Sequence, residues 1–391
     1  KLQPWVRNLL RLGAYQLLYL DRIPPHAAVG EAVAAARRRG NPGAAGLVNA
    51  VLRKIAALPG PPPAPSGASA AARIAWEASH PEWLVRMWID AFGEEKAERI
   101  AHANNLPPRA AARVNRLRLT REELIARLAE EGVAARPSEV CEDGVVAEEG
   151  AGNLAHTKAY RDGLCTVQDE SSMLAAALLD PAPGMRVLDC CAAPGGKATY
   201  FAEIMEDRGE VVACDLHPHK IRLIEDNARR LGLSSIRAIE ADAARLGERF
   251  PPASFDRILV DAPCTGFGVL RRKPEIKWRK DRESAEAVAA LQRDILAAAA
   301  DLLKPGGVLV YSTCTLSPAE NEERIDAFLA ARPDYAADAL PPAVPRPVAE
   351  RCGRGPGRLL VTPDEFGTDG FFMARLRRAD GGAAFSNGAG M

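Results

Sequence analysis

The second half of this 391-residue chain alternates apolar, strand-like runs with amphipathic helical stretches, and this alternation constrains the fold more than any other feature. Because parallel strands of one sheet need crossover connections, the pattern predicts a doubly wound α/β fold over residues 166–378. Helices are expected to begin near residues 197, 218, 284 and 318. The predicted strands are residues 186–190, 211–215, 236–240, 257–261 and 308–312, followed by an antiparallel closing pair at 358–361 and 371–376.

The first 165 residues have a different texture and predict further domains. Residues 1–58 carry apolar side chains at helical spacing in three stretches, which predicts a small all-helical domain. Residues 59–72 are rich in Pro, Ala, Gly and Ser and predict an extended connector. Residues 73–165 mix helical and short β-like pieces and predict an α+β region, whereas residues 379–391 predict a disordered tail. Because Lys1 already lies inside a helical pattern, we expect the natural start to lie upstream.

Composition limits the classes of protein to which this chain can belong. The 51 basic and 51 acidic side chains cancel, so a site for a polyanion must be a local patch. Eight cysteines without paired Cys-X-X-Cys units favour reduced thiols over a disulfide scaffold or a zinc site. No apolar run approaches the roughly 20 residues that cross a bilayer. We therefore expect a cytoplasmic protein that uses neither a membrane nor a metal ion. A monomer is the expected state, although composition does not determine it.

Small residues and carboxylates follow the predicted strands at one edge of the sheet. Ligands of open parallel sheets bind beyond the carboxyl ends of the strands, so these residues are candidates for a cofactor site. Asp215 can accept hydrogen bonds from both ribose hydroxyls of a nucleoside, Asp242 can accept from an adenine amino group, and Asp261 ends the fourth strand. The loop after the first strand lets a ligand approach the backbone before a helix begins. Its residues are Cys191, Ala192, Ala193, Pro194, Gly195, Gly196 and Lys197.

The Gly195-Gly196 pair alone is equally compatible with an ordinary strand-to-helix connection. The loop lacks the GxGxxG spacing of dinucleotide-binding folds and the Lys-Ser/Thr pair of ATP-binding loops, which disfavours NAD and ATP. Three successive strand-end aspartates are harder to attribute to surface charge. The favoured interpretation is therefore a nucleoside-containing cofactor whose recognition needs no phosphate groups.

Two cysteines follow the fourth and fifth strands and so belong to the same edge of the sheet. Cys264 stands in the sequence Asp-Ala-Pro-Cys after Asp261, and Cys314 stands in Ser-Thr-Cys-Thr. A thiolate that adds to carbon 6 of a pyrimidine turns carbon 5 into a nucleophile towards a sulfonium methyl group. Such a reaction also needs an acid or hydrogen-bond donor at ring nitrogen 3, for which Asp261 is the candidate. The alternative is that each cysteine is simply a small buried apolar residue.

The local sequence distinguishes the two cysteines. Residues 317–320, Ser-Pro-Ala-Glu, predict a capping box with a helix that begins at Pro318. Cys314 lies just before this predicted helix end, whose dipole would favour the thiolate and lower the pKa from about 8.5. Cys264 is followed by Thr-Gly-Phe-Gly, which predicts a flexible loop suited to a residue that acts late. These patterns favour Cys314 as the nucleophile.

Five motifs together indicate a family. Residues 188–197, 261–266, 311–315, 321–322 and 369–372 read LDCCAAPGGK, DAPCTG, YSTCT, NE and DGFF. They resemble the bacterial 16S ribosomal RNA cytosine-5 methyltransferases of the RsmB type, also called Sun or Fmu, in the NOL1/NOP2/Sun superfamily. The resemblance covers nearly the whole chain. It departs from the family at Cys190, where leucine is common, and at Ala198, where threonine is common.

The resemblance implies a Rossmann-like, S-adenosyl-L-methionine-dependent domain that methylates carbon 5 of a cytidine in 16S ribosomal RNA. In that family the cysteine matching Cys314 is the nucleophile and the one matching Cys264 assists product release. DNA cytosine methyltransferases instead use a Pro-Cys like that at Cys264. Residues 12–18 and 48–53 look like the later helices of a NusB-like RNA-binding domain that would lack its first helices. By the same resemblance, residues 73–165 would also bind RNA.

A basic loop after the first cysteine predicts a contact with RNA. Its cations would neutralise phosphates, and its tryptophan would stack on an unpaired base. A solvated run of charges is the alternative interpretation. The residues predicted to contact RNA are Arg271, Arg272, Lys273, Lys277, Trp278 and Arg279.

Two other functions remain open from the sequence. One is a transfer RNA cytosine-5 methyltransferase built on the same catalytic core, which the helical front domain disfavours. The other is a non-catalytic RNA-binding or assembly factor, in which the NusB-like region would be the working part. The intact pair of cysteines and the three strand-end aspartates favour an enzyme over this second alternative.

Overall fold

The computed structural model describes residues 2–39, 42–62, 64 and 66–382. The chain forms two compact units, Lys1–Ser69 and Ala70–Met391. From residue 383 onward, the tail predicted to be disordered lies outside the described residues. Within the described ranges, no helix combines the length and the apolar character that crossing a membrane requires.

The first unit is built from three helices, as the sequence predicts. They are α1 (Pro4–Tyr19), α2 (Pro25–Arg38) and α3 (Pro42–Ala56). Their core contains the fully buried side chains of Ala36, Val48 and Leu52. Gly13 allows α1 to lie close against α3, because a Cβ at this position would come within 2.6 Å of the Leu52 side chain.

The second unit begins with three helices and a small antiparallel sheet. The helices are α4 (Ala70–Glu77), α5 (Glu82–Phe92) and α6 (Glu94–Ala103). The sheet has the order β2-β3-β1-β4 and consists of β1 (Ala111–Val114), β2 (Ala135–Pro137), β3 (Gly144–Ala147) and β4 (Cys165–Val167), with α7 (Arg121–Glu130) and α8 (Lys158–Arg161) between strands. The expected boundary between residues 165 and 166 therefore falls inside β4, a strand too short to give a period-two signal.

A mixed eight-stranded sheet forms the centre of the second unit. Its order is β10-β12-β9-β8-β5-β6-β7, with β11 paired to β12. The strands are β5 (Arg186–Asp189), β6 (Glu210–Asp215), β7 (Ile236–Glu240), β8 (Phe255–Asp261), β9 (Leu303–Thr313), β10 (Tyr335–Ala337), β11 (Arg358–Val361) and β12 (Phe371–Arg378). Strands β5 to β9 are parallel and β12 runs antiparallel to its neighbours, which confirms the predicted α/β fold and its closing pair. The strand order reverses between β5 and β8, so the ligand crevice is expected beyond the ends of these two strands.

Helices cover both faces of the large sheet. They are α9 (Glu170–Leu179), α10 (Gly196–Ile204), α11 (Pro218–Leu231), α12 (Ile276–Arg279), α13 (Arg282–Leu302), α14 (Glu322–Ala331), α15 (Arg346–Cys352) and α16 (Pro363–Phe366). Helix α9 was not expected, because nine of its ten residues are buried and so it has no polar face to give a helical period.

The predicted capping box at residues 317–320 is wrong. Pro318–Glu320 form a single 3₁₀ turn, and the Ser317 side chain makes no capping hydrogen bond. The helix itself, α14, begins only at Glu322. Glu320 cannot cap Ser317 because its carboxylate accepts a hydrogen bond from the Thr265 amide instead. The helix end invoked to activate Cys314 therefore starts further along the chain than expected.

Candidate active site

A cavity of about 540 Å³ opens at the point where the strand order reverses. The large sheet contributes Asp189, Asp261 and the loop that begins α10, whereas the small sheet contributes Ala111 and the adjoining Gln168. Gly195 has a φ of 100°, and a Cβ there would lie 3.2 Å from the Ile224 Cα, so this position of the loop favours glycine. The cavity residues of the predicted loop are Ala192, Ala193, Pro194, Gly196 and Lys197.

Asp189 is a residue of this cavity that the sequence did not single out. Its side chain is 1% exposed, and neither carboxylate oxygen has a hydrogen-bond partner among the described residues. Burial, reinforced by the nearby charge of Asp261, raises the pKa of the Asp189 carboxyl to about 7. A buried acceptor without a donor is costly, so this carboxyl suits a ligand that brings a donor of its own. The sequence signal that could have identified Asp189 is its position at the end of the first parallel strand, β5.

The two other strand-end aspartates differ in their surroundings. Asp215 is nearly buried, and its Oδ2 accepts a hydrogen bond of 3.3 Å from the amide of Ala193 in the cavity loop. Lys220 lies 3.2 Å from its other oxygen. Asp242 is exposed and caps a 3₁₀ turn by accepting from the Ala244 amide at 3.0 Å. Neither Asp215 nor Asp242 is among the residues that line the cavity, but Asp215 is hydrogen-bonded to the cavity loop.

Asp261 is held in place by two donors. The Lys197 ammonium donates to its Oδ2 at 2.7 Å, and the Ser312 hydroxyl donates to its Oδ1 at 2.8 Å. Burial opposes the charge on Lys197, but the adjacent Asp261 carboxylate outweighs it and raises the pKa of Lys197 above its ordinary value. The two side chains form an ion pair that lines the cavity, next to the ends of β8 and β9.

The two predicted cysteines lie side by side. Their Sγ atoms are 3.1 Å apart, because β8 and β9 are parallel neighbours in which Asp261 is paired with Ser312. Both side chains are partly exposed. The hydrogen bond to Cys314, followed by burial, raises the pKa of the Cys264 thiol well above its ordinary value. Either sulfur could be the donor of this contact.

The loop after Cys264 is not flexible, in contrast to the prediction. Phe267 is fully buried, and the amide of Gly268 donates to the Cys314 carbonyl at 2.9 Å. The Gly268 carbonyl accepts from the Gly370 amide at 2.8 Å, and a Cβ on Gly268 would come within 2.1 Å of the Gly370 oxygen. The Asp-Gly-Phe-Phe motif thus packs directly against the first cysteine loop.

The basic loop divides into an inward and an outward set. Arg271 donates to the Thr368 carbonyl, and Arg272 makes ion pairs with Asp369 at 2.6 Å and Asp169 at 2.9 Å. Lys277 is buried, and burial lowers its pKa to about 8. The structure therefore separates Arg271 and Lys277 from the exposed side chains of the loop, whereas Arg272 is both ion-paired and partly exposed. The exposed members of the predicted RNA-contacting set, besides the partly exposed Arg272, are Lys273, Trp278 and Arg279.

Arg113 connects the small sheet to the cavity loop, and nothing in its sequence context marked it. The residue lies on β1 and is fully buried. Its guanidinium donates to the Gly196 carbonyl at 2.8 Å and pairs with Glu203 of α10 at 2.8 Å. It also donates to Gln168, which lines the cavity. The small sheet is thus a structural part of the site.

Comparison with known protein families accounts for this architecture. The 16S rRNA methyltransferase RsmB/F family matches residues 176–377, the RsmF/B-like ferredoxin-like domain matches residues 80–152, and the NusB family matches residues 1–57. This chain belongs to the RsmB/F methyltransferase family. Members of the family depend on S-adenosyl-L-methionine. The orphaned Asp189 carboxyl, the strand-end Asp215 and the adjacent cavity fit a cofactor that brings an ammonium group and ribose hydroxyls.

Individual relatives agree with this assignment. The chain is 46% identical over 379 residues to a probable ribosomal RNA small subunit methyltransferase B of Bacillus subtilis, covering 97% of this chain and 84% of the relative. It is 39% identical over 372 residues to ribosomal RNA small subunit methyltransferase B of Pseudomonas putida, covering 95% and 82%.

Solved structures show the same fold. The crystal structure of PH0851 has a TM-score of 0.82 at 30% identity, covering 96% of this chain and 83% of that one. NSun6 from Pyrococcus horikoshii, solved with the S-adenosylmethionine analogue SFG, has a TM-score of 0.67 at 26% identity, covering 77% and 98%.

Proposed function

We propose that this protein methylates carbon 5 of a cytidine in 16S ribosomal RNA through a covalent bond between Cys314 and the base. The observation that carries this proposal is the pair of cysteine sulfurs 3.1 Å apart, next to the end of β8, where Asp261 lines the cavity. One cysteine would be enough to fill the space between the two loops that hold these side chains. The contact between two thiols beside the cavity is therefore better explained by chemistry than by packing. The small-subunit ribosomal RNA is favoured as substrate by the names of the relatives.

Cys314 acts first. Its thiolate adds to carbon 6 of the cytosine, so that a sulfur–carbon bond forms and the electron pair of the 5,6 double bond becomes available at carbon 5. Ring nitrogen 3 gains a proton in this step, and we assign the proton transfer to Asp261 with the Lys197 ammonium as its neighbouring donor. S-adenosyl-L-methionine supplies the electrophilic methyl group that carbon 5 accepts. The target base must be unpaired or flipped out for its ring to reach Cys314.

Cys264 acts in the second half of the reaction. The proton at carbon 5 leaves to solvent, the sulfur–carbon bond breaks, and its electron pair returns to Cys314 as the thiolate. The proton on nitrogen 3 returns to the Asp261–Lys197 pair. The Cys264 thiol, whose sulfur lies 3.1 Å from that of Cys314, donates a hydrogen bond to the departing sulfur and so assists release of the product.

Substitution of each cysteine tests these roles. Cys314→Ala should abolish methylation and the covalent trapping of RNA that contains 5-fluorocytidine. Cys264→Ala should still form the bond to RNA but accumulate the adduct, visible as a shifted band on a denaturing gel. Turnover retained by Cys314→Ala would refute the assignment, and a Cys264→Ala protein without accumulated adduct would remove Cys264 from the release step.

Bisulfite sequencing tests the substrate. Ribosomal and transfer RNA from a strain that lacks the gene should differ from the parent only at a cytidine of 16S ribosomal RNA. Loss of methylation in transfer RNA would favour the alternative methyltransferase. An unchanged methylation pattern would favour the non-catalytic assembly factor.

We further infer how the remaining parts serve this reaction. Residues 1–58, joined by the connector 59–72, and residues 73–165 would bind the RNA that the methyltransferase domain of residues 166–378 modifies. The exposed Trp278, 60% accessible, with Lys273 and Arg279, would hold the strand that carries the target. We place the protein in the cytoplasm as a monomer that needs no metal ion.

A further inference from the structure

Glu320 is a buried carboxylate next to two loops of the large sheet. The first cysteine loop follows β8 and holds Cys264, and the second cysteine loop follows β9 and holds Cys314. The Glu320 side chain is 0% exposed, and the residue lies on the 3₁₀ turn that precedes α14. Among the described residues, no lysine, arginine or histidine forms a hydrogen bond or ion pair with it. A buried charge without a cation is costly and has to be stabilised by several neutral donors.

The hydrogen-bond donors to Glu320 are Thr265 of the first cysteine loop and Gln292 of the adjacent helix α13. The Thr265 amide donates to Oε2 at 2.9 Å, and the Thr265 hydroxyl donates to Oε1 at 2.6 Å. Gln292 of α13 donates to Oε2 at 3.0 Å and also to the Pro263 carbonyl at 2.9 Å. The residues on both sides of Cys264 are therefore tied to this one carboxylate.

The second cysteine loop is tied to the same point. The Thr265 and Thr315 hydroxyls are 2.8 Å apart, so the residues that follow the two cysteines are hydrogen-bonded to each other beside Glu320. Asn321 donates to the Thr315 carbonyl at 3.0 Å and accepts from the Thr313 hydroxyl at 2.6 Å. The Glu320-Asn321 pair thus fixes the residues that flank Cys314.

Charged groups of both signs surround the cysteine pair, because Lys197 is paired with Asp261 and Arg324 lies near Tyr311. Cys314 is 3.1 Å away, and the Asp261 carboxylate lies three residues before Cys264 at the end of β8. The Tyr311 hydroxyl donates to the Glu320 carbonyl at 2.7 Å, and burial, followed by Cys264 and Glu320, raises the pKa of Tyr311 well above its ordinary value. The charge of Glu320 also contributes to raising the pKa of Cys264.

We infer that Glu320 is a positioning residue that joins the two cysteine loops and whose charge disfavours a thiolate at Cys264, so that Cys314 is left as the nucleophile of the pair. For its catalytic meaning this inference rests on the proposed function. A protonated Cys264 cannot compete as nucleophile, and it remains able to donate to the departing sulfur of Cys314. Glu320 thereby contributes to the different roles of two chemically identical side chains, together with the contact between the two sulfurs and burial.

The test uses two substitutions that separate charge from geometry. Glu320→Gln removes the charge but can still accept from the Thr265 amide and donate to the Thr265 hydroxyl. Glu320→Asp keeps the charge but shortens the side chain by one methylene, so the brace between the loops is lost. Glu322→Gln is the matched control, because it removes a partly buried carboxylate two residues away that contacts neither cysteine loop.

The readout is alkylation of each cysteine by iodoacetamide between pH 6 and 10, in the full chain without RNA or cofactor. Mass spectrometry of the Cys264 and Cys314 peptides gives the pH of half-maximal rate for each. In Glu320→Gln this pH should fall for Cys264 by about one unit, a roughly tenfold faster reaction on the acidic side. In Glu320→Asp it should fall by less than half of that, while kcat for methylation drops and KM for RNA does not change.

Two results would overturn the inference. One is a pH of half-maximal alkylation of Cys264 that is the same in both Glu320 variants, in the wild type and in Glu322→Gln. The other is a normal kcat in Glu320→Asp. If Glu320→Gln does not fold, as judged by its thermal transition, the fall of kcat in Glu320→Asp at an unchanged KM carries the test of the positioning role. The proposed function and this inference can fail separately. If the wild-type protein does not methylate RNA, but the Glu320 variants show the expected changes in alkylation, the proposed function is refuted and the inferred effect of the Glu320 charge on Cys264 stands.

Discussion

Arg113→Ala should destabilise the second unit by about 4 kcal/mol at pH 8. Both members of the Arg113–Glu203 pair are 0% exposed, and their side chains are joined by hydrogen bonds of 2.8 and 3.1 Å. Removing one partner of a buried ion pair costs about 3–5 kcal/mol, because the other charge stays buried without compensation. The lost hydrogen bond to the Gly196 carbonyl adds about 1 kcal/mol, whereas relaxation and water entry offset part of the sum.

The pH dependence of this loss has a definite sign. Burial raises the pKa of Glu203 even with Arg113 present, so the folded form binds its proton more tightly than the unfolded chain does. Without Arg113 that pKa rises further. A group whose folded pKa is raised loses stability as pH increases through that pKa. The deficit of Arg113→Ala should therefore be full at pH 8 and small near pH 4.5, close to the ordinary pKa of glutamate.

Urea unfolding at pH 8 and pH 5 is the assay. Arg116→Ala is the control, because Arg116 is 49% exposed and its pair with Asp143 should contribute less than about 1 kcal/mol. The double variant Arg113→Met with Glu203→Leu should recover most of the loss, since no unpaired charge remains. A deficit below about 1 kcal/mol, or one that is equal at both pH values, would refute the reasoning.

Two further predictions concern the cavity and the RNA surface. Asp189→Asn should stabilise the cofactor-free protein by up to about 4 kcal/mol at pH 8 and by little at pH 4 in urea unfolding, because the pKa of Asp189 is raised to about 7 from an ordinary value near 3.9. The same variant should bind S-adenosyl-L-methionine more weakly in calorimetry; unchanged cofactor affinity would show that the orphaned carboxyl does not contact the ligand. Trp278→Ala should weaken RNA binding by about 1–3 kcal/mol in filter-binding titrations without changing cofactor affinity, and equal RNA affinity would exclude the stacking role.

The sequence predicted the parts of the fold that show a helical period or a bounded apolar run, and it failed where neither signal exists. The five parallel strands are apolar runs with clear ends, the three front helices show a helical period, and both sets are confirmed. Helix α9 is buried on all sides, so its sequence shows no alternation of polar and apolar residues from which a helix could be predicted. Strand β4 is three residues long and was divided by the expected domain boundary.

The candidate site shows the same contrast between strand ends and tertiary contacts. Cys264, Cys314 and Asp261 could be placed together because parallel strands end at one edge of a sheet. The prediction of the capping box was wrong because the Glu320 carboxylate accepts a hydrogen bond from the amide of Thr265, a residue distant in sequence. A run of basic residues likewise does not reveal that Lys277 is buried.

The contact of Arg113 with the cavity loop has a consequence for anyone who recombines members of this family. A chimaera joined at residue 165 would pair the β1 strand of one parent with the α10 helix of another, and would have to match Arg113, Gln168 and Glu203 at once. A junction at Ser69–Ala70 crosses the boundary between the two compact units and leaves this cluster intact. Such a junction exchanges the front helices without dividing this cluster, whereas the small sheet has to be exchanged together with the methyltransferase domain.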